Sequence, residues 1–182
     1  CDPSGFVALL KAMKSCAVAK LSISDCDIGP QGLMTSAPLI SVIPAVTEFN
    51  LSMNKCFDMD SAKALADVIP KSKLQTLVIG RDCLVPVVAS DVTTLDFSNQ
   101  NFGPGELMLI SSVVIPVSPA LNEVRLDFNP ITGSIEGREP DSDDSDDEGE
   151  DSVYDADVTG FVALLESMKA SAVSKLSIAG CN

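Results

Sequence analysis

Residues 18–28 read Val18-Ala19-Lys20-Leu21-Ser22-Ile23-Ser24-Asp25-Cys26-Asp27-Ile28. Apolar side chains hold the first, fourth, sixth and eleventh places, and a compact cysteine holds the ninth. The centre, Leu21-Ser22-Ile23, alternates, so as a short strand it sends Leu21 and Ile23 to one face. The same spacing recurs without gaps. The fourth place is filled by Leu21, Phe49, Leu77, Leu95, Val124 and Leu176, and the sixth by Ile23, Leu51, Ile79, Phe97, Leu126 and Ile178. The ninth holds Cys26, Asn54, Asp82, Gln100, Asn129 and Cys181. The eleventh holds Ile28, Cys56, Leu84, Phe102 and Ile131.

One such unit cannot bury its apolar face alone, so neighbouring units are expected to stack and share a core. The ninth residue sits where the chain leaves the strand. A side chain there can bond turn backbone groups that would otherwise be buried without partners. Cys26, Asn54, Asp82, Gln100, Asn129 and Cys181 are therefore read as a structural ladder. The six signatures resemble the leucine-rich repeat superfamily, with spacing similar to the ribonuclease-inhibitor-like class. That resemblance implies an α/β fold: a right-handed solenoid, or horseshoe, with a parallel sheet on the concave side and helices on the convex side. It also implies protein–protein recognition as the commonest role.

Successive strand starts lie 28, 28, 18, 29 and 52 residues apart. Units of 28 and 29 residues hold a strand and a full helix. Helices are read at 3–16, from Gly29-Pro30 to about Val42, at 60–69, and again from Thr159. The 18-residue unit is too short for a helix, so Leu84 to Asp91 is expected to form a turn or an extended crossing that locally flattens the horseshoe. The 52-residue unit is a repeat carrying an acidic insert at about 134–157, expected to be disordered. Across it the strand at 124–126 should pair with that at 176–178. Residues 1–182 are thus read as a single solenoid segment with six parallel strands in sequential order in one sheet.

A longer repeat overlies the short one. Gly5 to Cys26 matches Gly160 to Cys181 at a constant offset of 155, with 15 of 22 positions identical. This points to a block duplicated as a unit within a longer array.

The formal charge of −14 is concentrated locally. Residues 139–157 hold 11 acidic side chains and no basic ones; the remainder carries 15 acidic against 12 basic. No basic patch suggests a nucleic-acid partner, and no apolar run approaches the length of a membrane span. Asp141, Asp143, Ser145 and Asp147 alternate as in a calcium loop, but Asp146 stands where such a loop needs glycine. Ser145, followed by three acidic residues, fits an acidophilic kinase site. No metal site and no cofactor is expected.

There is no histidine and no Cys-x-x-Cys pair, so neither a zinc site nor a Cys–His nucleophile is supported. Cys26, Cys56 and Cys181 are read as structural thiols, because free cysteine packs as a small hydrophobe. Cys26 and Cys181 should be buried, unpaired and about 24 Å apart at a 4.8 Å strand spacing. The exposed strand positions are mostly small and polar. Asp96, Glu123, Arg125 and Asp127 are their most distinctive group and form the candidate binding face. The expected function is a non-enzymatic protein-interaction module or scaffold with a protein partner. The alternative is a structural array whose 155-residue blocks build an extended assembly by end-to-end self-association.

Overall fold

A computed structural model describes residues 3–88, 91–133 and 157–181. Every strand expected from the spacing forms. These are β1 (Lys20–Ser22), β2 (Glu48–Asn50), β3 (Thr76–Ile79), β5 (Thr94–Asp96), β6 (Glu123–Arg125) and β7 (Lys175–Ser177). A further strand, β4 (Cys83–Pro86), lies in the 18-residue unit. The helices are α1 (Ser4–Ala12), α2 (Pro30–Ile40), α3 (Met59–Val68), α4 (Pro104–Leu109) and α5 (Thr159–Lys169). Helical backbone continues beyond α4 through a wider turn at Ile110–Val114 and a tighter one at Ile115–Val117.

The single-sheet solenoid is overturned. The chain has a mixed α/β fold with two small sheets: a mixed one in the order β1-β2-β3-β4, and a parallel one in the order β5-β6-β7. β4 runs antiparallel to β3, with Leu77 opposite Val85 and Ile79 opposite Cys83, so the expected unbroken parallel sheet ends there. The cause is local. Gly80 takes a left-handed φ of +65°, and Gly80-Arg81-Asp82 closes a three-residue hairpin of the kind glycine permits. The strand leaving it is shifted by one residue from the repeat pattern. Leu84, expected inside, is 61% exposed, whereas Val85 and Val87 are buried. A one-residue slip reverses every side chain of a strand.

Within each sheet the parallel register is regular. Leu21 lies opposite Phe49, and Phe49 opposite Leu77. Leu95 lies opposite Val124, and Val124 opposite Leu176. The last pair joins strands on either side of the acidic stretch, as the 52-residue spacing predicts. Most of that stretch, residues 134–156, lies outside the described residues, and with it the expectation of disorder and the Ser145 and calcium-loop readings.

The helices pack in chain order, α1 on α2, α2 on α3, α3 on α4 and α4 on α5. The α3–α4 contact carries the core past the break between the sheets. It depends on Gly105, where a Cβ would come within 2.8 Å of the Phe57 carbonyl. α3 is opened by a reciprocal cap: the Asp58 carboxylate accepts from the Ser61 N–H at 2.8 Å, and the Ser61 hydroxyl accepts from the Asp58 N–H at 2.9 Å. Pro38 sits inside α2, two residues before its end, where little helix remains to be disturbed. One cluster of buried apolar side chains runs from Leu10 to Leu164.

Gly80 gives a direct test of the hairpin. A Cβ there would lie 2.5 Å from the Phe102 ring and 2.8 Å from the Gln100 carbonyl oxygen. Gly80→Ala is expected to lower unfolding free energy by about 2 to 3 kcal/mol, from left-handed strain plus the clash. Urea unfolding measures it, and an unchanged midpoint would contradict the turn geometry.

Candidate binding face

The second sheet brings together three of the four expected face residues as one ion-pair group. Arg125 leaves β6 on the exposed face, and its Nε donates to Glu123 Oε1 at 2.7 Å. Its Nη1 lies 4.0 Å from Asp96 Oδ2 on the neighbouring strand. Residues i and i+2 share a strand face, and Asp96 is the register partner of Arg125. The hydrogen bond from Arg125 to Glu123 and their charge attraction raise the guanidinium's pKa. Asp96 is held below the usual carboxylate range by hydrogen bonds to Ser98, whose N–H donates at 3.0 Å, and further by the Arg125 charge. Asp96 and Arg125 keep about half of their side-chain surface in water.

Asp127 does a different job. Its Oδ1 accepts from the Ser177 hydroxyl at 2.6 Å and from the Ala179 N–H at 2.7 Å. It is a half-buried acceptor that fixes the end of β7 beside β6. The face therefore consists of Asp96, Glu123 and Arg125, with Asp127 as a support at its edge. The first sheet carries a comparable pair, Lys20 Nζ to Glu48 Oε2 at 2.8 Å.

The ladder is realised where asparagine supplies it. Asn129 is buried; its Oδ1 accepts from the Gln100 and Phe102 N–H groups at 3.0 and 2.9 Å. Its Nδ2 donates to the Phe97 and Leu126 carbonyls, both at 2.8 Å. Asn54 repeats the arrangement with the N–H groups of Cys26 and Ile28 and the carbonyls of Ile23 and Leu51. Gln100 reaches the Arg81 N–H only at 3.3 Å. Asp82 is exposed in the β3–β4 turn, so the ladder is interrupted where the sheet is.

The thiol expectation needs correction. Cys26, Cys56 and Cys181 are all free thiols, but Cys26 is exposed and Cys181 only half-buried. Each lies in a unit that only one other described unit covers, which a residue pattern alone does not reveal. Cys26 donates to the Ser24 carbonyl at 3.3 Å, and Cys181 to the Leu126 carbonyl at 3.0 Å. Cys56 is fully buried, and desolvation pushes its thiol up to about 12.

Sequence reasoning missed Glu106. It occupies the third position of α4, where its Oε2 accepts from the Gly103 N–H at 2.9 Å. Desolvation outweighs that bond and pushes the carboxyl up to about 7. The signal was Gly103-Pro104-Gly105-Glu106 ahead of an apolar run, a helix start with glutamate positioned to reach back. Nearby, Asp58, Asp60 and Asp157 line a cavity of about 390 Å³ at the helix starts. Asp58 caps α3, and Asp157 accepts from the Thr159 N–H at 2.9 Å just ahead of α5. Among the described residues no cluster of three His, Cys, Asp or Glu could hold a metal ion. Among them, too, no helix is long and apolar enough to cross a membrane.

No family model matches the chain, and no curated protein matches it. Among solved structures it is similar to one titled "Leiomodin-1 Actin-Binding Site 2 (ABS2)", at 13% identity and a TM-score of 0.49. The likeness covers 97% of this chain and 80% of that one.

Proposed function

We propose that the chain is a non-enzymatic protein-binding module whose contact face is the exposed side of β5 and β6. The observation that carries this reading is the group Asp96, Glu123 and Arg125. Its two carboxylates stand on neighbouring strands of one sheet, share one guanidinium, and retain solvent-facing capacity. Charges placed at an interface rim steer association and select partners more than they add affinity. Two carboxylates against one guanidinium favour a segment bearing lysine or arginine. The acidic residues between 139 and 157 add attraction of the same sign at long range.

The test uses a fluorescent peptide alternating arginine and serine, titrated with the full chain and read by anisotropy. Replacing Asp96 with Asn together with Glu123 with Gln is expected to weaken binding about tenfold. Arg125→Ala is expected to strengthen it, because both carboxylates are released to the peptide. Neither change should move the thermal midpoint much, since exposed ion pairs contribute little to stability. Binding that survives the double change, and disappears only when the acids at 139–157 are neutralised, would show capture by diffuse charge and sink the proposal.

A further inference from the structure

The outward strand positions of the two sheets lie on one side of the molecule, because each sheet buries its other side in a single apolar cluster. Among the described strands these outward positions are polar or charged with three exceptions: Val78 on β3, and Leu84 and Pro86 on β4. The three are neighbours. Val78 lies directly opposite Leu84, and Pro86 follows Leu84 by two residues on the same face. Val78 is buried, whereas Leu84 leaves 61% of its surface open. A lone exposed leucine is ordinary. Leu84 instead tops an apolar patch in the middle of a polar surface, turned outward by the one-residue slip in β4.

The charged group stands beside this patch. Gly80 abuts the Phe102 ring, and Gln100 Oε1 accepts from the Arg81 N–H at 3.3 Å, so the β3–β4 hairpin sits against the unit of β5. Burial pushes the Cys83 thiol up to about 11, and the Asp96 and Asp82 carboxylates push it the same way. Asp96 is therefore close to the residue that precedes Leu84. The edge of β4 away from β3 carries no further strand among the described residues. Pro86 has no N–H to offer one there, so recognition at β4 runs through side chains.

We infer that Leu84, with Val78 and Pro86, is the apolar anchor point of the contact face, and that the face takes an extended protein segment in which a large apolar side chain is followed two residues later by arginine or lysine. The inference rests on the reading of Asp96, Glu123 and Arg125 as that face. The occupant follows from the chemistry of the two halves. An apolar patch ringed by polar groups takes an apolar side chain and keeps water from it. Two carboxylates sharing one guanidinium take a cation, by charge complementarity. In an extended segment, residues i and i+2 share a side and lie roughly 6.6 Å apart. That span falls between one and two strand spacings, about 4.8 and 9.6 Å. A segment crossing the strands from Leu84 therefore carries its basic side chain towards Asp96 and Glu123.

The test uses the full chain and two fluorescent peptides of equal charge, one repeating Leu-Ser-Arg-Ser and the other Ala-Ser-Arg-Ser, read by anisotropy. The leucine peptide is expected to bind about tenfold more tightly, a gain that partial burial of leucine supplies. Leu84→Thr keeps a good strand former in place. It should erase that preference and leave the affinity for the alanine peptide unchanged, which also reports that the face remains folded. Leu84→Met, which keeps an apolar side chain, should retain the preference. Equal binding of the two peptides by the parent, or a preference that survives Leu84→Thr, overturns the inference. Loss of the alanine peptide too in Leu84→Thr would make Leu84 a support of the strand and overturns it as well. The charged reading fails separately, by an alanine peptide whose affinity ignores the joint change Asp96→Asn and Glu123→Gln, whatever the leucine preference.

Discussion

Replacing Asn129 with alanine is expected to lower the unfolding free energy by about 4 kcal/mol. The side chain is 2% exposed and makes four short bonds to main-chain groups of two successive turns. Alanine fills part of the volume but leaves two N–H groups and two carbonyls to find other partners. Each buried group left unpaired costs about 1 to 3 kcal/mol, and some relaxation or water entry keeps the total below the full sum. Asn54→Ala should cost less, about 2 kcal/mol, because Asn54 is half-buried and water can replace part of its bonding. Guanidinium unfolding of the two variants decides it. A loss below about 1 kcal/mol at Asn129 would mean the turns are held by packing and not by the ladder.

Glu106→Gln is expected to stabilise the protein at pH 8 by about 2 to 3 kcal/mol and to give no gain at pH 4. Burial raises the carboxyl from 4.5 to about 7 in the folded chain. Between those values the folded state binds more protons than the unfolded one, so parent stability is fully present below about pH 4.5 and is lost as pH rises towards 7. Glutamine keeps an oxygen to accept from the Gly103 N–H but carries no charge to desolvate. The readout is the thermal midpoint of both proteins from pH 4 to pH 8. Parallel profiles would show that Glu106 is solvated in the folded chain, and that the Gly103 bond and not desolvation governs it.

The strands were legible because each carries its signature locally. Leu21-Ser22-Ile23 and its five counterparts need only alternation to show which side they bury, and all six strands form with the expected neighbours within each sheet. The break between the sheets was not read, although its residues are plain: a strand-forming run on either side of Gly80-Arg81-Asp82 is a hairpin signal. Fitting Asp82 and Leu84 to the repeat positions hid it, since the template assumes that every strand continues in the same direction. The exposure of Cys26 was missed for another reason. A sequence pattern gives which side of a residue faces a neighbour, but not how fully that side is covered in the described structure.

The charged group on the second sheet was legible in part. Asp96 and Arg125 could be placed side by side because register follows from the aligned spacing. The separate role of Asp127 depends on the backbone turn at Ala179, which the side-chain pattern does not encode. Glu106, half-buried, was not legible as a desolvated acid, because its desolvation comes from residues distant in sequence that the α3–α4 contact brings near.

The most direct test of the proposed binding face is amide chemical-shift mapping of the full chain during titration with the arginine–serine peptide. The account predicts shifts concentrated at 94–98 and 123–127, on β5 and β6 and the turns that follow them, with little change in α2 and α3. Shifts confined to 139–157, or spread over the helices while β5 and β6 stay silent, would contradict it.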